Sequence, residues 1–476
     1  MTNHTFRQRL PLLVLLYVLT GCSFMPADQT ENMPDLQKQF TQSGKHTASD
    51  YWWQEFNDPQ LNRLVKDALS NNFSLKSYLA RLEEAAAQAD IQGSSLYPSL
   101  SGSIKPGYRR NMQENGNIYQ NDNIVFGLNS HWEIDLWGRL SNRKEAAVNE
   151  YLASSEVLQS AAISLAGNIA RTWYQLSEQN ARLEILTAQL TNIQQVTEIS
   201  RLRYLSGQDS ISTVWRQEQL EEEIRADHQQ TLRRKNILAF QLNVLLGKSP
   251  SAEPSWQYSR FPELPPLPST GIPAELIENR PDIRDRWYQY QARRHKVAEA
   301  ISARLPSFTL TAGADLSTND LDELFDLWAT DFAISMNIPI FSGGQLASQQ
   351  KQAETRATRA FYDYTQTVLT ALREVETSLL EEQSKQEQLN SLQEQTRLAS
   401  NILDIESARY RQGIQQYLDV LNAQERLFDL QLRSVNIERQ VLDRRIALYQ
   451  SLGGRIITIG SNGELLSTVP SETIGQ

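Results

Sequence analysis

The sequence predicts an α+β membrane protein made of two tandem structural repeats, each with two amphipathic strands followed by a long helical hairpin. The first observation behind this prediction is a duplication, because Arg203-Tyr204 recurs as Arg409-Tyr410, 206 residues later. The second is that residues 138–249 and 340–469 contain no proline, a residue that disrupts helix interiors by about 3 kcal/mol. The third is a set of segments in which apolar and polar residues alternate. A repeat this long is not a short-period solenoid, so one large unit is used twice.

The N-terminus has the pattern of a secretory signal, with two arginines before an apolar run that is too short to span a membrane. Leu19-Thr20-Gly21-Cys22 resembles the bacterial lipobox, in which the cysteine carries a diacylglycerol and an N-palmitoyl chain. We therefore expect residues 1–21 to be a lipoprotein signal peptide, Cys22 to be the lipidation site and residues 22–50 to be an acylated tether. A stray thiol is the alternative for this single cysteine.

Residues 51–249 form the first predicted repeat, with strands at about 99–112 and 123–136 and a helical hairpin at 138–247. The second strand has apolar residues at alternate positions: Ile124, Phe126, Leu128, Trp132, Ile134 and Leu136. A period of two over about ten residues gives a strand with one apolar and one polar face. The length also suits a transmembrane strand, and a half-buried soluble sheet is the alternative.

A proline-rich linker at 250–273 leads to the second predicted repeat at 274–455. Here we expect strands at about 306–318 and 329–341, then a helical hairpin at 344–452. Residues 456–476 form a C-terminal tail. The polar stretches 111–122 and 317–327 are expected to be loops that join the strands of each pair.

Glycines mark the predicted turns in both repeats. Gly207 and Gly413 interrupt the two proline-free tracts, and glycine accepts the positive φ that commonly ends a helix. Gly138, Gly343 and Gly344 lie where each second strand passes into its first helix. Each tract is therefore predicted to be a hairpin of two helices, whose first arm would extend for roughly 100 Å.

The composition argues against several classes of function. The chain is acidic, with a formal net charge of −10, which makes it a poor candidate for nucleic-acid binding. Its five histidines are isolated in sequence and lack the spacing of a zinc site. We therefore expect no enzyme activity, no metal and no cofactor. Because four strands cannot close a barrel, strands in a membrane require an oligomer, which the arithmetic leaves as a dimer or larger.

Several motifs in order along the chain resemble the TolC-like outer-membrane efflux family, in its lipoprotein branch that partners RND pumps. They are Phe56-Asn57-Asp58-Pro59-Gln60-Leu61, His131-Trp132-Glu133-Ile134-Asp135-Leu136-Trp137-Gly138, Asn279-Arg280-Pro281-Asp282-Ile283, Pro339-Ile340-Phe341-Ser342-Gly343-Gly344, Ala408-Arg409-Tyr410-Arg411-Gln412-Gly413 and Tyr417-Leu418-Asp419-Val420. The resemblance implies a trimer in which four strands per chain close a 12-stranded outer-membrane β-barrel, continued by a long α-helical barrel in the periplasm.

The resemblance also implies a function and partners. The trimer would be the exit duct of a tripartite efflux system, passing drugs or other small toxic compounds to the exterior. Its expected partners are two further copies of itself, a periplasmic adaptor protein, an inner-membrane RND pump and the lipid of the outer membrane. An exit duct for an ABC-driven type I secretion system is one alternative, and a structural coiled-coil lipoprotein is another of a different class.

By resemblance, the periplasmic tip of the helices holds the gate. Asp419 matches the position of an acidic constriction ring, and Asn422 occupies the second ring position, where relatives carry Asp. Tyr410 matches a closing residue, while Gln415 and Thr213 stand where relatives carry its charged partners. We therefore expect the charged latch to be absent, with closure by neutral bonds or packing. The alternative for Tyr410 and Asp419 is ordinary helix-end structure.

Overall fold

The computed structural model describes residues 33–35, 37–45, 49–112, 116, 118–254, 256–257, 261–271, 278–318, 328–459 and 465–466. The predicted signal peptide, Cys22, most of the C-terminal tail and the second predicted loop lie largely or wholly outside these residues.

The chain forms two compact units, and each is assembled from both sequence repeats. The first unit contains residues 81–155 and 285–366, and the second contains residues 35–80, 156–284 and 367–476. A repeat in sequence is therefore not a separate compact body. The physical reason is that strands of the two repeats pair with each other, so that neither repeat completes its sheet alone.

The first unit is built on a four-stranded antiparallel sheet, in the order β1-β2-β3-β4. Its strands are β1 (Ser99–Met112), β2 (Ile118–Ile134), β3 (Ser307–Thr318) and β4 (Trp328–Asn337). The pairing of β2 with β3 joins the first repeat to the second, with Leu128 opposite Ala314. β1 and β4 are the edge strands.

The register places all even-numbered residues of the sheet on one face, because even residues pair with even residues across every ladder. This face is apolar and exposed on its outer strands, where Leu100 is 74% exposed and Phe332 is 67% exposed. The opposite face carries mainly hydroxyl, amide and charged side chains: Ser101, Ser103, Asn129, Glu133, Thr309, Thr311, Asp331 and Ser335. The sheet thus has the one apolar and one polar face that the alternation predicts.

Two strand boundaries differ from the prediction. β2 begins at Ile118, not at about 123, because ladder pairing with β1 continues to the pair Met112–Ile118. Most of the expected loop 111–122 is therefore strand, since backbone pairing does not require apolar side chains. β4 ends at Asn337, not at 341. The proline at 339 has no N–H to donate to a ladder and closes off the strand.

The described residues form two long helical hairpins. The first consists of α3 (Arg139–Leu205) and α4 (Ile211–Leu245), and the second of α6 (Gln345–Arg411) and α7 (Tyr417–Leu452). Among the helices in the described ranges, none has a stretch apolar and long enough to cross a bilayer.

Three shorter helices are not among the predicted elements: α1 (Pro59–Asn71), α2 (Phe73–Ser94) and α5 (Pro281–Ser302). A pair of strands of two residues each, β5 (Thr458–Ile459) and β6 (Leu465–Leu466), follows α7. In the second unit, Asp58 caps α1 by accepting hydrogen bonds from the N–H groups of Gln60 and Leu61. Its other carboxylate oxygen accepts from the indole of Trp173 at 2.7 Å, so that one buried acid ties α1 to α3.

Candidate functional site

Both helical hairpins turn through the same backbone motif. The N–H of Gly207 donates to Tyr204 and that of Gly413 donates to Tyr410, each at 2.9 Å. The next residue in each turn donates five positions back, to the carbonyl of an arginine, which is the Schellman arrangement of a helix end. Gly207 and Gly413 have φ values of 72° and 75°, which glycine adopts without a Cβ penalty. The two tips are therefore equivalent in backbone and differ in side chains.

Three side chains connect the two tips. Asp209, in the first turn, lies 3.5 Å from Nε of Arg203. The hydroxyl of Tyr410, from the second hairpin, donates to the same carboxylate over 3.5 Å. The guanidinium of Arg203 lies over the Tyr410 ring, 4.9 Å from its centroid. At the tips, the two hairpins are thus in contact through a cation, an acid and an aromatic ring. We call Arg203, Asp209 and Tyr410 the tip cluster.

The tip cluster continues into the bundle through a second tyrosine. The rings of Tyr410 and Tyr417 meet edge to face with centroids 5.1 Å apart. Partial burial raises the pKa of Tyr410, and the Asp209 carboxylate adds to this, while Arg203 opposes it. Burial also raises the pKa of Tyr417, with smaller contributions from Tyr410 and Asp209. Both phenols are therefore neutral at physiological pH; Tyr410 donates to Asp209, and Tyr417 packs against the Tyr410 ring.

The remaining predicted gate residues make contacts within their own hairpin. Gln415 donates its amide to the carboxylate of Asp419 at 2.7 Å. Thr213 contacts Ser210, with hydroxyl oxygens 3.3 Å apart. Asn422 is exposed one turn beyond Asp419. The structure brings together Gln415 with Asp419, and leaves Thr213 apart from Tyr410.

The contacts at the tip differ from one expectation about the latch. The replacement of an acid by Thr213 predicts a tip without a charged contact, but Asp209 supplies the acid four residues earlier and Arg203 the cation. The motif comparison missed this contact because it considered single positions, whereas a carboxylate in the turn before α4 contacts the same tyrosine. The duplication includes Arg203 and the tip motif includes Tyr417, but no sequence signal singled out Asp209.

The strand-to-helix turn of the first repeat is built from its motif residues. Asp135 accepts from the N–H groups of Leu140 and Ser141, at 2.9 and 2.7 Å, and so satisfies the start of α3. Gly138, between Asp135 and Leu140 in sequence, has a φ of 70°. In the second repeat Gly343 and Gly344 have φ values of 58° and 84° before α6. These glycines shape the passage from sheet to helix.

The polar face of the sheet carries carboxylates that lie flat across a neighbouring strand. A Cβ atom added at Gly127 would lie 2.5 Å from an oxygen of Asp315, and one added at Gly313 would lie 2.3 Å from an oxygen of Asp331. A larger residue at either glycine would force the acid above it to turn away. Within the described ranges, no group of three or more His, Cys, Asp or Glu side chains could hold a metal ion.

Comparison with known proteins agrees with this geometry. The sequence pattern of the outer membrane efflux protein family matches residues 64–248 and again 272–454, once in each repeat. The chain is 30% identical to the cation efflux system protein CusC of Escherichia coli K12, over 94% of this chain and 98% of the relative. It is also 30% identical to the solvent efflux pump outer membrane protein SrpC of Pseudomonas putida, over 94% and 97%.

Solved structures show the same fold. The outer-membrane channel OprN superposes with a TM-score of 0.84 at 25% identity, covering 91% of this chain and 99% of OprN. CusC superposes with a TM-score of 0.80 at 27% identity, covering 91% and 100%. The members of this group are channel proteins. The chain therefore belongs to the outer membrane efflux protein family and is an outer-membrane exit duct of an efflux system.

Proposed function

We propose that three copies of this chain form a 12-stranded barrel in the outer membrane, continued by a barrel of long helices that leads out of the periplasm. The observation that carries this proposal is the sheet: four strands, two open edges, and one exposed apolar face. Unpaired N–H and C=O groups at the edges are not tolerated in hydrocarbon. Pairing β1 of one copy with β4 of the next would give hydrogen-bond partners to the N–H and C=O groups of every edge strand.

The two faces of the sheet fit the two sides of such a barrel. The even-numbered face would contact lipid, with Trp328 at one end of β4 in the position of an interfacial aromatic. The odd-numbered face, with Asp315 and Asp331, would line a water-filled lumen. Cations leaving the duct would meet these acids, while Lys105 places a positive charge on the same face.

A lipid anchor at Cys22 would add a second attachment to the membrane. The segment after it is docked on the second unit, where Thr41 donates its backbone N–H and its hydroxyl to Glu376 at 3.2 and 2.5 Å. The N–H of Gly44 donates to Pro268 at 3.0 Å. Since Gln37 lies 15 positions after Cys22, the acylated cysteine would stay within roughly 50 Å of the docked segment.

The helical tips would form the periplasmic gate. In a trimer, Asp419 brings three carboxylates towards one axis, and like charges in a narrow opening repel each other and attract cations. Gln415 holds each Asp419 carboxylate in place. The tip cluster of Arg203, Asp209 and Tyr410 would keep the two hairpins of a chain together, as a charged latch assembled from different positions than the expected one.

A periplasmic adaptor and an inner-membrane RND pump are the proposed partners, with small toxic compounds as cargo. The names of the similar proteins support this class: they are described as efflux proteins for cations, solvents and toluene. The duct would perform no chemistry and receive its energy from the pump. The same names favour a pump partner over an ABC-driven secretion system.

Two measurements test the proposal. The purified protein should run as a heat-modifiable trimer and conduct ions in planar bilayers, and Asp419→Ala should reduce cation selectivity. Deletion of the gene, followed by a screen of antibiotics, dyes, detergents and metal ions for lost resistance, identifies the cargo. A monomer without conductance would overturn the duct, whereas unchanged selectivity in Asp419→Ala would overturn only the constriction ring.

A further inference from the structure

Three glutamines are buried in the helical bundle behind the tip cluster. Gln217 on α4 is 0% exposed, Gln424 on α7 is 3% exposed and Gln189 on α3 is 4% exposed. Each contributes to a face that is otherwise apolar. Gln217 precedes Leu220 by one turn, and Gln424 follows Leu421 by one turn.

No protein group within the described ranges hydrogen-bonds these amides. Both polar atoms of Gln217 are buried without a partner, and so are the amide nitrogens of Gln424 and Gln189. The burial is produced by this chain's own helices. A neighbouring copy or an adaptor therefore cannot reach the amides without moving those helices, whereas most buried polar groups in proteins have partners.

Two of the three amides lie close to the hairpin turns that would form the gate. Gln217 is the seventh residue of α4 and Gln424 the eighth of α7, so both lie roughly 10 Å along the axis from their hairpin turns. Gln189 lies farther from the tip, between Leu186 and Ile193 of the same apolar cluster. That cluster joins α3 and α4 of the first hairpin to Leu421 of the second.

We propose that Gln217, Gln424 and Gln189 are a built-in source of metastability: buried, unpaired amides that weaken the packing between the two hairpins and so ease the opening of the tip. A polar group in a helical seam costs stability, and here it does so between the elements that must separate. Opening the hairpins gives the amides access to water. The tip cluster holds the closed arrangement, and the amides oppose it.

This inference rests on the proposed gate and extends it to what sets the closed-to-open balance. It predicts that apolar replacements stabilise the closed tip, which is the reverse of the usual effect of a core substitution. If a bound water satisfied the amides, a replacement would displace that water and the tip would be less stable. The direction of the change in stability of the closed tip therefore decides between unpaired amides and amides that bind a water.

The test uses the full-length trimer in detergent and in planar bilayers. Gln217→Leu and Gln424→Leu, singly and together, should slow hydrogen exchange of backbone amides at the tips and lower the open fraction, each roughly tenfold for the double variant. Gln219→Leu, on the exposed side of the same helix, is the matched control and should change neither. Gln217→Met keeps the unbranched shape and serves if leucine does not pack.

The outcomes separate this inference from the function it rests on. Exchange that is unchanged or faster in both the leucine and methionine variants overturns the metastable amides, even if the channel conducts normally. Slower exchange with an unchanged open fraction also overturns it, because the tip then does not control opening. Failure of the duct itself would appear differently, as a wild-type protein without conductance.

Discussion

Asp209→Ala is the most direct perturbation of the tip cluster. Among the described residues, Asp209 is the acid that contacts both Arg203 and Tyr410, so its removal weakens the contact between the two tips without touching the apolar core. The substitution lies in an exposed turn and should not affect folding of the long helices. We expect it to favour the open tip.

The size of the effect follows from the geometry. The Arg203 and Asp209 side chains are 36% and 19% exposed, and ion pairs this open to solvent contribute about 0.2–1 kcal/mol. The Tyr410 hydrogen bond is long and adds roughly 0.5 kcal/mol. If three chains open together, the closed tip of the trimer loses about 2–4.5 kcal/mol of stabilisation. This loss raises the open-to-closed ratio by between roughly 30-fold and 2000-fold.

Single-channel conductance in planar bilayers measures this ratio, and uptake of a bulky hydrophilic antibiotic by whole cells reports it independently. Glu222→Ala is the matched control, because Glu222 pairs with Arg225 inside one helix and does not bridge the hairpins. An open fraction for Asp209→Ala equal to that of the wild type and of the control would refute the latch.

Three further predictions concern the units that support the tip. Asp58→Ala removes the cap of α1 and the carboxylate that accepts from the buried Trp173 indole, so thermal unfolding in detergent should show a loss of about 2–4 kcal/mol in stability, and Asp58→Asn a smaller one. Arg445→Ala leaves the Glu382 carboxylate buried without its bidentate partner and should cost about 3–5 kcal/mol by the same measurement. Burial lowers the pKa of His295 below 6.5 in the folded state, so stability is complete above about pH 6.5 and falls as the unfolded state takes up the proton below it. The melting temperature of His295→Gln should decline less between pH 7 and about pH 5.

The strands were predictable because the alternation of side chains is local. Each residue's face follows from its parity, and pairing even residues with even residues kept the two faces intact across all four strands. Boundaries were less predictable. The start of β2 depends on a partner strand, while the end of β4 could have been found from the proline at 339, which removes a ladder donor.

The tip cluster was not predictable because it joins residues about 200 positions apart. Nothing near Asp209 in sequence indicates that Tyr410 will lie beside it. The same limit applies to residues 250–273, which composition identifies only as a proline-rich linker. In the structure, buried Arg445 donates to the carbonyls of Pro265 and Pro266, so this extended segment is held by a cation far along the chain.

The duplication gives the tip its asymmetry. Asp209 in the first tip corresponds to Gln415 in the second, and Thr213 corresponds to Asp419, since 206 residues separate each pair. Each tip therefore keeps one acid, but at a different one of two equivalent positions. The first acid contacts the other hairpin, and the second is held by the glutamine of its own. One backbone motif thus carries two different side-chain arrangements in a single chain: the first tip contacts the other hairpin, and the second would present a carboxylate towards the proposed axis.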